Sequence, residues 1–478
     1  MSNSQWRSVG VSALLALMAS CGGGQPSQQA QPGILANIVV TGLPNRVETG
    51  DVVHLNAAGV DASGSPVAVG SFTWVSSDSN IAKVTADGFL AAFAPGTVSI
   101  FAKNGQITGS LSVTVNAGIT FSFGPEETIF KWSTDHCEQF DLPDVPAHVV
   151  RLSDGTLAMM AAAAPRNHIM FGADFSSFHR DCAESGLVSD DNFYPDTYDN
   201  QEWIHSIYRE GGTIHALVTN EYHDPFAANC APGDTLPGNP CWYNSITYAF
   251  STDGGHTFTH AAAPGHVIAP PWLKWDPSGT PPPYGYFFPS NILLAGDGFF
   301  YSLFLATDRT GSSLSCLIRT QTLGDPASWR AWDGTGFNLQ MTSPYVGPAS
   351  AMCSPVASPP NVLPQPTLTY NTYLQKYMVI SGGEVAGPSD PLCGFFYTLS
   401  SDLINWTPLR LVLEAHVPWN AQCSPNGINA TFFSFIDHDD PTINFERPGR
   451  TPHLYFTRFN DSSFDRDLVR VPVTITAH

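Results

Sequence analysis

The sequence predicts an all-β chain: a small β-sandwich followed by a β-propeller of five blades. Composition is the first support. Charged residues make up 13% of the 478 residues and aromatics 12%, while 41 Gly and 39 Pro supply turns. That profile suits many short strands rather than helices. The second support is periodicity, because short apolar runs with strand alternation are bounded by turn residues throughout. The third is a hairpin that recurs. Ser251-Thr252-Asp253-Gly254-Gly255-His256-Thr257-Phe258 follows an apolar strand. There the Asp side chain can bond the turn backbone, the glycines supply positive φ, and Phe258 can fold back to pack. Ser401-Asp402-Leu403-Ile404-Asn405-Trp406 is its counterpart downstream, and a hairpin repeated in this way marks propeller blades.

At the N-terminus, Arg7 precedes an apolar run from Val9 to Met18, then Ala19-Ser20-Cys21. The run is too short to span a membrane and ends in small residues, so residues 1–20 read as a secretory signal. Met18-Ala19-Ser20-Cys21, followed by three glycines and the polar Gln25 to Gln31, resembles a bacterial lipobox and tether. The resemblance implies lipidation at Cys21, a flexible tether over 21–34, and a chain exported and lipid-anchored to the bacterial outer membrane or cell surface. Membrane contact is expected through that anchor only.

Eight cysteines remain: Cys137, Cys182, Cys230, Cys241, Cys316, Cys353, Cys393 and Cys423. An even number in an exported chain points to disulfides. Cys230 and Cys241 bracket a Pro/Gly-rich loop and form the best local pair; the other pairings stay open. None forms a CxxC pair or zinc-finger spacing, so no metal or cofactor is expected. With 20 Lys and Arg against 41 Asp and Glu, the net charge is −21. Phosphates would repel such a chain, which excludes nucleic acid as a partner and leaves neutral carbohydrate compatible.

Residues 35–117 form a separate unit. Ile38-Val39-Val40, the alternating Asp51 to Ala57, Phe72 to Asp78, Ile81 to Val84, Ala94 to Ile100 and Gly109 to Val115 read as short strands. Turns at roughly 8–12-residue spacing indicate a small sandwich. The order Thr73-Trp74 with Ser76-Ser77-Asp78, then Ile81-Ala82-Lys83-Val84 with Ala86-Asp87-Gly88, then Ala94-Pro95-Gly96-Thr97 resembles the bacterial Ig-like domain, group 2. The unit holds no constellation of acids or histidines, so spacing or adhesion is its expected role.

Residues 120–478 carry five strand units, each with an apolar strand, a turn, a second strand and a third. They open near Ala147, Trp203, Asn291, Leu368 and Ala430. A sixth set would have to hide around Ile119 to Phe130. In such a ring the innermost strands line a channel, and the loops at their mouths are the natural place for chemistry. Acids before each first strand and after each second strand are therefore the candidates. The first unit offers Asp144, held between Pro143 and Pro146. The second offers Glu202 beside Trp203, and Glu221 within Asn220-Glu221-Tyr222-His223. The third shows Pro289-Ser290-Asn291 without an acid, the fourth Glu384, and the fifth Asp437-His438-Asp439-Asp440, expected as a solvent-facing loop.

The Tyr370 to Tyr377 hairpin and the Ser-x-Asp-Leu-x-x-Trp closing strand resemble five-bladed glycosidases of the arabinanase, xylosidase and invertase type, glycoside hydrolase family 43-like. The Ser-x-Asp-Gly-Gly-x-Thr-Phe turn is also similar to the Asp-box of sialidases, which need an arginine cluster; only Arg151 and Arg166 lie in the corresponding early region, which makes that resemblance the weaker one. The glycosidase resemblance implies that Asp144 is base or nucleophile and that Glu221 and Glu202 supply the acid and the tuning carboxylate. In that family the acid comes from the third blade, where this chain has Ser290 and Asn291. His223, Tyr222, Asn220, Trp203, Asn291 and Arg166 are the candidate sugar-binding residues. Cleaving an acetal needs one carboxylic acid to protonate the leaving oxygen and one carboxylate to activate water or attack the anomeric carbon. The rival expectation is a non-catalytic propeller that binds glycan or protein.

Overall fold

Antiparallel pairing accounts for nearly all regular structure in the computed structural model. It describes residues 33–478 apart from 191, 225–241, 277, 279–281, 357–363, 386–390, 417–422, 424–427 and 461–463. The signal, Cys21, nearly all of the tether and the Cys230–Cys241 pairing lie outside the described residues.

Residues 37–116 make three small sheets. Asn37–Thr41 pairs Asn56–Val60, which pairs Pro66–Val67; Phe89–Ala92 lies between Val52–His54 and Ala82–Val84. Ile107–Asn116 pairs Gly96–Asn104, which pairs Thr73–Ser76, and Val47–Glu48 adds a parallel edge. Along Gly96–Asn104 only Val98, Ile100 and Ala102 are buried, the period-2 signature of a strand with one covered face. Val98 and Ile100 pack with Leu55, Leu90 and Val113, and Ala102 packs with Ile38 and Val40. The unit rests on the outer strand Arg410–His416. Leu411 N–H donates to Gly50 O at 2.8 Å, and Arg410 pairs with Glu48 and Asp51 at 3.0 and 2.9 Å. Lys83 meets Glu414 at 2.7 Å, and Val52, Phe89 and Ala91 share an apolar cluster with Trp406 and Leu411.

The rest of the chain is a β-propeller whose strands pair into five sets among the described residues. The first set is His148–Arg151, Leu157–Met160, Met170–Gly172 and His179–Arg180. The second is Gln201–Glu210, Thr213–His223 and Trp242–Ser251, edged by Thr259–His260 and Val267–Ala269. The third is Leu293–Leu294, Phe300–Thr307, Ser313–Thr320 and Arg330–Ala331. The fourth is Thr367–Asn371, Lys376–Val385, Leu392–Ser400 and Arg410–His416. The fifth is Ile428–Ile436, His453–Phe459 and Arg466–Thr476. Thr120–Phe123 and Glu127–Phe130 pair with Arg466–Thr476, so the region that might have hidden a sixth set instead ties the start of the ring to its last strand. Tyr284–Phe287 runs parallel to Trp242–Ser251 and antiparallel to Phe300–Thr307, joining the second and third sets. The sequence reading did not find that strand, which Pro281, Pro282 and Pro283 precede.

The repeated turn has the expected chemistry. Gly254 and Gly255 take φ of 84° and 98°. Asp253 accepts from Thr257 N–H at 3.1 Å and from the Thr257 and Ser251 hydroxyls, and Phe258 is buried. In the counterpart, Asp402 accepts from Asn405 N–H at 2.8 Å and from Ser400, while Leu403 holds φ 67°.

First strands surround a narrow central cavity lined by His148, Ile207, Asn291, Thr367, Phe435 and Asn444, among others. An innermost strand is a sheet edge with unpaired backbone groups, and three asparagines satisfy them. Asn167 bonds Glu202 O and Ile204 N–H; Asn291 bonds Leu368 O and N–H; Asn444 bonds Arg209 N–H and O. Asn444 belongs to the segment after Asp437-His438-Asp439-Asp440, which corrects the expectation of a solvent-facing loop there. Asp437 and Asp440 are buried, accepting from Gly449 N–H and Arg447 N–H, because the segment folds under the channel. Cys137–Cys182, Cys316–Cys353 and Cys393–Cys423 are disulfides, as suits an oxidising compartment outside the cytoplasm. Among the described residues, no helix is long and apolar enough to cross a membrane.

Candidate active site

Strand alternation decides which polar residues can meet. In the second set Gln201 is opposite Glu221, and Trp203 is opposite Thr219. Trp203 and Glu221 therefore share one face, and Glu202 and Asn220 share the other. The first face looks toward Asp144. That residue sits between two prolines just before His148–Arg151, and Thr457 Oγ1 donates to Pro143 O at 2.7 Å. The Asp144 carboxylate accepts a hydrogen bond from Arg466 of the fifth set, and Trp203 of the second set lies near enough to influence it. Glu221 lies close enough for its charge to act on Asp144. Burial raises the Asp144 carboxyl above its ordinary value. Arg466 opposes that shift, the Glu221 charge adds to it, and Trp203 opposes it.

Glu221 is buried, accepting from Asn244 Nδ2 at 3.3 Å and facing His223 Nε2 at 3.4 Å. His223 packs edge-on against Trp242, ring centroids 5.1 Å apart. The structure thus brings Asp144, Glu221, Trp203 and His223 together from two strand sets.

The remaining candidates fall elsewhere. Glu202 is fully buried on the opposite face, its Oε1 2.5 Å from His260 Nε2. Burial disfavours charge on His260, but the Glu202 carboxylate outweighs it and holds the imidazole above its ordinary value. Glu202, its own carboxyl raised by burial and opposed by His260, is thereby engaged in this internal contact and does not face Asp144. Asn220 accepts from Asn200 N–H and donates to Ser245, and Tyr222 packs among Tyr198, Tyr243 and Tyr284. Both buttress the strand that carries Glu221. Asn291 is occupied by its two bonds to Leu368, because an unpaired strand edge lies beside it. Arg166 binds Glu138 and Ser185, neither of which belongs to the pair. Ser290, at the third-set position, donates to Asn291 O and accepts from Leu303 N–H.

Arg466 was missed by sequence reasoning. Its partner Asp144 is 322 residues away, and no local spacing signals a contact of that range. His148 and His205 are buried along the channel strands, and burial pushes both down to about 3, so they are neutral. Among the described residues, the one group of side chains tight enough for a cation is Glu384 with Cys393 and Cys423, and both sulfurs are spent in a disulfide.

The fold defines the class: an all-β chain built on a propeller. No known protein family matches the sequence, and no curated protein matches it. Solved structures do. An endo-arabinase from Bacteroides thetaiotaomicron is 10% identical with a TM-score of 0.40, over 74% of this chain and 97% of that one. An alpha-L-arabinanase from Cellvibrio cellulosa, complexed with arabinohexaose, is 12% identical with a TM-score of 0.39, over 69% and 91%. A beta-fructofuranosidase from Bombyx mori is 11% identical with a TM-score of 0.40, over 72% and 62%.

Proposed function

We propose that this chain is an exported glycoside hydrolase acting on oligo- or polysaccharide, with Asp144 and Glu221 as its carboxylate pair. In this reading residues 1–20 are the signal, 21–34 the tether from a lipidated Cys21, 35–117 an Ig-like domain and 120–478 a five-bladed propeller. The observation that carries the proposal is the convergence of Asp144 and Glu221 from different strand sets, close enough for the Glu221 charge to act on Asp144. Asp144 is the base or nucleophile. Glu221, buried beside His223, protonates the leaving oxygen. A carboxyl separation of about 5–5.5 Å gives retention and about 6.5–9.5 Å inversion. Trp203 supplies an apolar face beside the pair for a sugar ring.

One observation favours the second reading, a propeller that binds glycan or protein without cleaving it. The third set presents Ser290 and Asn291, both tied into backbone bonds, where the glycosidases carry their acid. Release of reducing sugar from soluble arabinan, xylan and inulin separates the two. Hydrolysis lost in Asp144→Asn and Glu221→Gln supports the enzyme. Retained glycan binding with no release from any of the three supports the binding module.

A further inference from the structure

The first strand set has two neighbours in the ring, the second and the fifth. Asp144 lies between both: Arg466 of the fifth set donates to its carboxylate, and Trp203 of the second set lies near enough to influence it. Arg466 is itself fixed, its guanidinium carbon 4.5 Å from the centre of the Phe459 ring. The backbone under Asp144 is fixed too, by Pro143 and Pro146 and by the Thr457 hydroxyl on Pro143 O. The Arg466 bond leaves the remaining lone pairs of an ionised carboxylate open to a water or a substrate hydroxyl.

From this bracing we propose that Arg466 is the positioning residue of the site, holding and aiming the Asp144 carboxylate beside Glu221. The inference rests on the reading of Asp144 as the reacting carboxylate. The charged groups acting on Asp144 are Arg466 and Glu221, with His223 behind Glu221. Two carboxylates sharing a site without a cation cannot both ionise readily. Arg466 is the cation here, so its loss leaves Asp144 with only its like-charged neighbour. The directions agree: Arg466 is the largest influence opposing the effect of burial on Asp144. A lysine keeps the charge but loses the planar fork, so Arg466→Lys stands between wild type and Arg466→Gln.

The test uses the full chain labelled with ¹³C at the Asp carboxyl, the Asp144 signal being assigned by its loss in Asp144→Asn. In Arg466→Gln, Asp144 is expected to titrate at higher pH than in wild type, with Arg466→Lys intermediate. On whichever of arabinan, xylan or inulin is hydrolysed, the acid limb of kcat moves up in the same direction. At the lower pH kcat drops about 10²-fold while KM changes little. An unchanged Asp144 titration in folded Arg466→Gln overturns the proposal. If that variant does not fold, an unchanged titration in Arg466→Lys overturns it equally. A shifted titration in a chain that hydrolyses none of the three sugars upholds the positioning role and counts against the hydrolase reading alone.

Discussion

Replacing Asn291 by leucine tests whether the propeller's inner edge is held by asparagine. Asn291 is buried, and its amide makes two short bonds to one residue, 2.5 Å to Leu368 O and 2.6 Å from Leu368 N–H. Leu368 lies on the innermost strand of the fourth set, so no further strand can take over those groups. Leucine is close in size and fills the space, but it leaves both groups unpaired. Each orphaned buried group costs about 1–3 kcal/mol, so the pair amounts to about 2–6 kcal/mol. A water in the adjoining cavity recovers part of this, which favours the lower half of the range. Asn291→Asp keeps the acceptor for Leu368 N–H but sets a carboxylate against Leu368 O, so it should destabilise as well. The assay is urea unfolding followed by tryptophan fluorescence, comparing midpoints because a chain of several units need not unfold in one step. A change within the roughly 0.5 kcal/mol of an ordinary surface substitution would refute the reasoning. Sugar binding lost at unchanged stability would restore Asn291 to the ligand-binding set.

Two other perturbations follow from the same geometry. Burial raises Asp253 and Asp402, but hydrogen bonds from the turn outweigh it and hold both at about 2, below the usual carboxylate range. A depressed folded value means the stabilisation is present above the unfolded carboxylate pKa and is lost as pH falls from about 4 toward 2. Both side chains are exposed, so the slope is shallow. Asp253→Asn combined with Asp402→Asn should flatten the thermal midpoint against pH over that window, and an unaltered slope would contradict the assignment. Arg410→Ala removes the ion pairs to Glu48 and Asp51. Limited proteolysis should then release residues 35–117 faster than from wild type; equal rates would mean that the apolar contact around Trp406 and Leu411 suffices.

Fold class was legible because alternation and turn chemistry are local. Val98, Ile100 and Ala102 announce their strand, and the Ser251–Asp253 turn fixes its own geometry. Closure by Thr120–Phe123 and Glu127–Phe130 was not legible, since pairing with the last strand is set by ring geometry rather than by neighbours in sequence. The site divided in the same way. Asp144 and Glu221 stood out as acids at strand ends. The difference between Glu221 and Glu202 depends on the side of the second set each faces, and Glu202 found a histidine 58 residues away. Arg466 gave no sign, because its partner is brought near only by the fifth set lying beside the first. The N-terminal unit, for which spacing or adhesion is the expected role, covers an outer strand through contacts that no repeat pattern encodes.

The most direct test is the titration of the ¹³C-labelled Asp144 carboxyl in wild type and in Glu221→Gln. Glu221 carries a like charge beside it, so its removal should lower the pH at which Asp144 titrates. An Asp144 titration identical in the two proteins would mean that the carboxylates do not share a site.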